Sequence, residues 1–275
     1  MRIGVPNYDL WSGDEVNAVI TKKDSKITGE SLRQGLTSSK ILIIIPAYNE
    51  ELSISHVIQD VKTHCPAAHI LVINDGSKDR TREVAEANGA SVITLPTNLG
   101  IGGAMQTGYR YAHRYGYDVA VQVDGDGQHK AEQLHLILAP VLSGTADLAI
   151  GSRFIEQTGF LSSASRRAGI KILSTIVSAM THKRVLDVTS GFRAANKRAI
   201  SVFQSDYATD YPEVDSIVLI HRSGLRTSEV AVIMDARTGG KSSINAVRSV
   251  YYMIKVTLAL FIRSLKATKP VEVQS

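Results

Sequence analysis

From Lys40 to about Ile150, short apolar runs alternate with longer stretches in which apolar residues recur three and four positions apart. Ile41-Leu42-Ile43-Ile44-Ile45, closed by Pro46, predicts a strand buried on both faces. Ile54, Val57, Ile58 and Val61 then follow the spacing of an amphipathic helix. Ile70 to Ile73 predicts a second buried strand, ended by Asn74-Asp75-Gly76-Ser77. Ser77 is placed to cap a helix from Lys78 to Asn88, which Gly89 would end. Strands over Ser91–Leu95, Asp118–Val123 and Asp147–Ile150 continue the alternation, with helices over Gly102–Tyr115 and Ala131–Leu142. This pattern predicts βαβ units and an α/β fold around a mostly parallel sheet.

The flanks read differently. Residues 1–39 are polar and without a clear period, an N-terminal extension. In the second half, Ile170, Leu173, Ile176, Val177 and Met180 form a helical stripe, and Val230 to Met234 predicts a strand. Residues 244–275 form a tail whose apolar positions are interleaved with Tyr251, Tyr252, Arg248, Lys255 and Arg263. Such a tail suits a helix lying in a membrane interface, with a helix packed on the domain as the rival reading. No run of about 18 apolar residues is present, so no membrane-spanning helix is expected. Cys65 stands alone, which excludes an intramolecular disulfide framework and a Cys-rich zinc site. Together with the absence of a signal-peptide pattern, it suggests a cytoplasmic protein peripheral to the membrane.

Charge is distributed in blocks. Residues 1–150 carry 13 basic and 17 acidic side chains, 151–200 carry 9 and 2, 201–221 carry none and 4, and 222–275 carry 9 and 3. The two basic blocks point to an anionic partner for the second half. No nucleic-acid motif accompanies them, and the acidic segment divides them, so nucleic acid is not the expected partner.

In open α/β sheets ligands bind beyond the carboxyl ends of the strands. Asp124-Gly125-Asp126 sits at such an end, and two carboxylates two residues apart beside glycines suit Mg²⁺ or Mn²⁺. A plain Asp-Gly turn is the alternative. Gln128 and His129 would add ligands or support, and Glu50 and Asp75 end neighbouring strands. Asp75 could equally belong to a helix cap. Gly100-Ile101-Gly102-Gly103 opens a helix and would offer backbone N–H groups to a phosphate.

Pro46-Ala47-Tyr48-Asn49-Glu50, Asn74-Asp75-Gly76-Ser77, Asn98-Leu99-Gly100 and Asp124-Gly125-Asp126-Gly127-Gln128-His129, in this order and spacing, resemble family-two glycosyltransferases of the GT-A fold. Dolichyl-phosphate mannose synthases and related polyprenyl-phosphate glycosyltransferases are the nearest likeness, over about residues 40 to 245. The resemblance divides the chain into an extension (1–39), a GT-A domain (40–243) and a membrane-associating tail (244–275). It implies that Pro46, Tyr48, Glu50 and Asp75 hold the nucleotide, and that Asp124, Asp126 and Gln128 hold the metal. Gly151-Ser152-Arg153 resembles the family's Gly-Ser-Arg, and the resemblance implies further that Arg166 and Arg167 fall where an arginine serves a lipid phosphate, that Glu213 lies near the acceptor, and that Arg237 and Lys241 close over the diphosphate. Arg153 would join Arg166 and Arg167 as the cations a phosphate acceptor needs. Ser190-Gly191-Phe192-Arg193 resembles a further family segment.

The chemistry follows from the donor. A nucleoside-diphosphate sugar leaves charge on phosphate oxygens, which a metal with Arg237 and Lys241 would stabilise. A phosphate-monoester acceptor needs positioning by cations rather than a strong base. A sugar hydroxyl needs a carboxylate, Glu213 or Asp215. The expected activity is therefore metal-dependent, inverting transfer to polyprenyl or dolichyl phosphate. Transfer to a lipid-linked saccharide is the alternative, and nucleotidyl transfer a more distant one. In the first of these the stripe behind Arg167 is expected to present an apolar surface to the prenyl chain.

Overall fold

The structure, a computed structural model, describes residues 38–156, 164–235 and 255–258, with Gly35 and Phe261; for residues 164–166 it describes the backbone alone. Arg166 as a side chain, Arg237, Lys241, nearly all of the extension and most of the tail lie outside the described residues.

Seven strands form one sheet, β1 (Ile41–Ala47), β2 (His69–Asn74), β3 (Ser91–Thr94), β4 (Val119–Gln122), β5 (Leu148–Ser152), β6 (Arg193–Asn196) and β7 (Thr227–Ala231). Their order is β3-β2-β1-β4-β6-β5-β7. All pairings are parallel except those of β6, which runs antiparallel to β4 and to β5. The connecting helices are α1 (Ile54–His64), α2 (Thr81–Ala87), α3 (Gly100–Arg114), α4 (Leu134–Leu142), α5 (Ala164–Thr181), α6 (Lys197–Ser205) and α7 (Pro212–Arg222).

The apolar run of β1 feeds both faces because side chains alternate along a strand. Ile41, Ile43 and Ile45 join Val57, Ile58, Leu134 and Leu138 on one face. Leu42 and Ile44 join Met105, Tyr109, Phe203 and Ile217 on the other. Helices thus cover the sheet on both sides. α3 crosses β1 at Gly108, where a Cβ would come within 2.5 Å of Ile44 Cγ2.

Three expectations are corrected. The second helix begins at Thr81 rather than Lys78, because the Ser77 hydroxyl accepts the Asn49 N–H instead of capping. Asp79 takes the Thr81 N–H in its place. The last described strand is Thr227–Ala231, three residues earlier than the apolar run suggests, with only the Met234 bridge to His129 beyond it among the described residues. The α5 stripe is core: Leu173 and Val177 are buried, and Ile176 and Met180 pack against the same cluster. It therefore packs on the domain, with only Ile176 and Met180 partly exposed, rather than forming a continuous apolar surface for a prenyl chain.

The strands at the far side are tied by one buried carboxylate. Asp147 is 1% exposed and accepts the Arg226 N–H at 2.7 Å and the Asn196 amide at 2.9 Å, with Arg198 at 3.2 Å. Burial pushes this carboxyl up, but those hydrogen bonds and the two arginine charges outweigh it and hold it below the ordinary range. Its stabilisation is complete above the unfolded-state pKa of about 3.9 and is lost as pH falls through the lower folded value. Asp147→Ala should cost about 1–3 kcal/mol at neutral pH, since it strands buried N–H groups. Urea melts should show that gap narrowing at the acid end of this window; a gap that persists there would remove the ionised carboxylate as its cause.

Candidate active site

The parallel strands β2, β1, β4, β5 and β7 end at one edge of the sheet, and the reversed β6 begins there. That topology brings the separate motifs together. Tyr48 to Glu50 leave β1, Asp75 leaves β2, Asp124 to His129 leave β4, Ser152-Arg153 close β5, and Ser190 to Phe192 lead into β6.

On the β1–β2 side the two loops are stapled to each other. Asn49 N–H donates to Ser77 Oγ at 2.9 Å, Lys78 N–H to Asn49 Oδ1 at 2.9 Å, and Glu50 N–H to Thr81 Oγ1 at 2.8 Å. Asn49 sits at φ 56°, a left-handed conformation that Asn tolerates. Pro46 is buried within β1, past the last β4 pair at Ile44, while Tyr48 is 45% exposed at the rim. Glu50 is half-buried and accepts the Ser53 hydroxyl.

Asp75 is buried, and its two oxygens accept Leu99 N–H at 2.7 Å and Gly100 N–H at 2.9 Å. It therefore draws the start of α3 against the end of β2. Burial raises its pKa, against the opposing effect of those two N–H groups. The Gly100 N–H expected to meet a phosphate is spent on Asp75 and on Asn98.

The β4 loop holds the acidic pair. Asp126 is 4% exposed, and Gln128 grips it, through its backbone N–H at 3.1 Å and its side-chain amide at 2.6 Å. Asp124 is more open, and Gln122 Nε2 donates to its Oδ1 at 3.1 Å. His129 Nδ1 accepts the Asp124 N–H at 3.0 Å, which turns Nε2 toward Asp124 Oδ2, 3.6 Å away. Gly125 passes over β1, where a Cβ would meet Pro46 O at 3.1 Å. Gly191 is tighter still: a Cβ would lie 2.7 Å from Gln122 Nε2 and 3.1 and 3.2 Å from the Asp124 carboxylate oxygens. The segment after β7 braces this loop, with Asp235 N–H on Gln128 O and Ile233 N–H on the Gln133 side chain.

These residues fit a hard divalent cation. Two carboxylates leave coordination positions for water and phosphate oxygens, as Mg²⁺ and Mn²⁺ prefer. No group of three or more acidic, histidine or cysteine side chains that could hold a metal occurs among the described residues. Such an ion would therefore depend on Asp124 and Asp126 together with its substrate.

Arg153 is the cation beside them. It is largely buried, and Asp187 receives its Nε at 2.7 Å, its Nη2 at 2.8 Å and its backbone N–H at 3.2 Å. Burial works against its charge, but Asp187 and then Asp124 hold its pKa above the ordinary value. Arg167 is exposed in the first turn of α5. Glu213 lies in the first turn of α7, behind Tyr211 at φ 57°. Burial raises the Glu213 pKa, Arg193 opposes that, and Asp124 adds to it.

Gln122 and Asp187 escaped the sequence reading, and Arg193 entered it only as the end of a family segment, without a role. Arg193 is 1% exposed and donates to the carbonyls of Val188, Ser190 and Glu213 and to the Ser216 hydroxyl. The available signal was a polar residue inside an apolar strand, Gln122 in Val121-Gln122-Val123 and Arg193 before Ala194-Ala195.

The profile described as "Glycosyl transferase family 2" matches residues 42–203. An undecaprenyl-phosphate mannosyltransferase of Micrococcus luteus is 31% identical over 215 residues, 75% of this chain and 88% of that one. A polyprenol monophosphomannose synthase of Mycolicibacterium smegmatis is 33% identical over 170 residues, 59% of this chain and 64% of that one. Among solved structures, glucosyl-3-phosphoglycerate synthase of Mycobacterium tuberculosis, crystallised with Mn²⁺, UDP and glucosyl-3-phosphoglycerate, superposes with a TM-score of 0.67 at 19% identity, over 90% of this chain and 88% of that one. That likeness identifies the GT-A arrangement of the fold. The chain belongs to glycosyl transferase family 2, whose members are nucleotide-sugar-dependent glycosyltransferases, rather than to the nucleotidyltransferases that an acidic pair on a similar sheet also allows.

Proposed function

We propose that this glycosyltransferase moves a sugar from a nucleoside-diphosphate donor to polyprenyl or dolichyl phosphate at a membrane surface, with Mg²⁺ or Mn²⁺ at Asp124 and Asp126. The observation that carries the reading is Arg153. It is a nearly buried guanidinium, aligned by a buried carboxylate, on the strand end beside the acidic pair. Relatives at about 30% identity that are named for polyprenyl-phosphate acceptors support the same choice.

Each residue then has a task. Tyr48, Glu50 and Asp75 stand where the nucleotide would sit, on loops already fixed to each other. Asp124 and Asp126 would hold the cation, with Gln128 as the support of Asp126. When bound, that ion supplies charge to the diphosphate oxygens as the sugar leaves. Arg153 holds the acceptor phosphate, an oxygen of which attacks the anomeric carbon from the face opposite the leaving diphosphate, inverting it. Arg166, Arg167, Arg237 and Lys241 belong to the same reading through their motifs. Asp126→Asn should reduce turnover by roughly 100-fold or more at unchanged stability, because it removes one of the two carboxylates that would hold the cation. Excess chelator should abolish transfer of labelled sugar to polyprenyl phosphate, and full activity in chelator would refute the metal assignment.

A second reading, transfer to a hydroxyl of a lipid-linked saccharide, is favoured by Glu213. Burial raises its pKa above the ordinary carboxylate value, which makes it a stronger base than a free glutamate. Glu213→Gln separates the two. A phosphate acceptor is already ionised, so the variant should retain most of its turnover. A hydroxyl acceptor should lose about 10²–10⁴-fold, together with an acid limb of the pH–rate profile that lies above the usual carboxylate value of about 4.3.

Membrane contact is assigned to the tail, with residues 1–39 as a separate extension. Val256 is buried in the core and Lys255 pairs with Asp210 at 2.7 Å, while Leu258 and Phe261 are 57% and 60% exposed. No helix among the described residues is long and apolar enough to cross a membrane. Replacing Leu258 and Phe261 by Asp should release the protein from anionic vesicles without changing donor binding. Undiminished vesicle binding would take the tail out of the interface.

A further inference from the structure

Glu229 lies on β7, outside the residues matched by the family profile and outside every motif of the sequence reading. Its two carboxylate oxygens accept consecutive backbone N–H groups, Leu186 at 2.8 Å on Oε2 and Asp187 at 2.7 Å on Oε1. We propose that Glu229 is a positioning residue for Arg153, acting through the backbone of Asp187.

The link is short and continuous. The residues between α5 and β6 form no helix or strand, so side-chain contacts must fix where Asp187 points. Asp187 itself is 0% exposed, and with its backbone N–H taken by Glu229, both of its oxygens turn to Arg153. Thr189 completes the clamp, receiving Arg153 Nη2 at 3.0 Å and donating to Asp187 at 3.3 Å. These contacts occupy Nε and Nη2 and, among the described residues, leave Nη1 open to a ligand. A guanidinium is planar, so fixing one edge fixes the direction of the other. The anchor is rigid as well. Glu229 pairs with Ile150 on β5, three residues before Arg153, so the same strand pair that delivers Arg153 also carries the carboxylate that aligns its partner. A carboxylate across two successive N–H groups makes two charge-assisted hydrogen bonds, which Ala cannot replace and Gln replaces only on one side.

The kinetic consequence rests on the reading of Arg153 as the acceptor-phosphate group, whereas the positional one does not. The test therefore has two readouts. In the full-length protein, NMR of the Arg153 Nε–H, assigned by its loss in Arg153→Ala, should show a slowly exchanging signal that Glu229→Ala abolishes and Glu229→Gln weakens. In kinetics, Glu229→Ala should raise the KM for polyprenyl phosphate or lower kcat by about 10-fold or more, the range of losses when the partner of a functional group is removed, with the donor KM unchanged. The same substitution in an Arg153→Ala background should add little, since the two act in series. If Glu229→Ala fails to fold, Glu229→Gln carries both readouts, with a smaller expected change. An Arg153 signal unaltered in the folded variants, or a fully additive kinetic loss, overturns the positioning role. Failure of the lipid-phosphate reading looks different: Arg153→Ala alone then leaves acceptor kinetics unchanged while the Nε–H signal still depends on Glu229.

Discussion

At the edge that carries the acidic pair, the Asp124 charge reaches Glu213, and the buried Asp187 stands beside Arg153, so negative charge collects there that only positive charge can offset. Arg153 and Arg193 supply it from inside the protein. The two do so differently. Arg153 meets Asp187 in a direct fork, with the Asp124 charge acting on it as well. Arg193 bonds to three carbonyls and a hydroxyl, and its field acts at longer range on Glu213. Burying a guanidinium is costly, and four hydrogen bonds to it offset that cost.

The antiparallel β6 makes this arrangement possible. A wholly parallel sheet would bring only strand ends to this edge. Reversing β6 lets a strand begin there, between β4 and β5. Ser190-Gly191-Phe192 therefore enters beside Asp124, and the absence of a Cβ at Gly191 is what lets the backbone approach that carboxylate. Gln122, buried under the same contact, aligns Asp124 from below.

The first five strands and the helices between them were legible because each is a local pattern: an apolar run of four to six residues, or a spacing of three and four. The acidic pair and the loops after β1 and β2 were legible for the same reason, as short motifs closing such runs. β6 was not, since Arg193-Ala194-Ala195-Asn196 has neither length nor hydrophobicity, and its place comes from pairing on both sides. The shift of β7 has a similar origin. Thr227–Ala231 is half-buried at the sheet edge and is held by its register with β5, whereas Val232 and Met234 after it turn inward, Met234 bridging to His129 of the β4 loop. The α5 stripe shows the limit of periodicity, because the same spacing serves a core and a lipid surface, and only the packing of Leu173 and Val177 distinguishes them.

Residue roles at the edge were less legible than residue presence. Asp75 reads as a nucleotide contact by motif, yet its two oxygens hold the start of α3. Asp75 can do both only if a nucleotide meets it beside those N–H groups, because a carboxylate offers about four lone-pair sites and two are used. Arg153 presents the reverse case. Its motif gives a cation, but the orientation of that cation depends on Asp187 and Glu229, which are 34 and 76 residues away in sequence. A side chain becomes specific for a ligand when its other contacts leave it one direction to point, and those contacts are made by tertiary structure rather than by the motif that carries it.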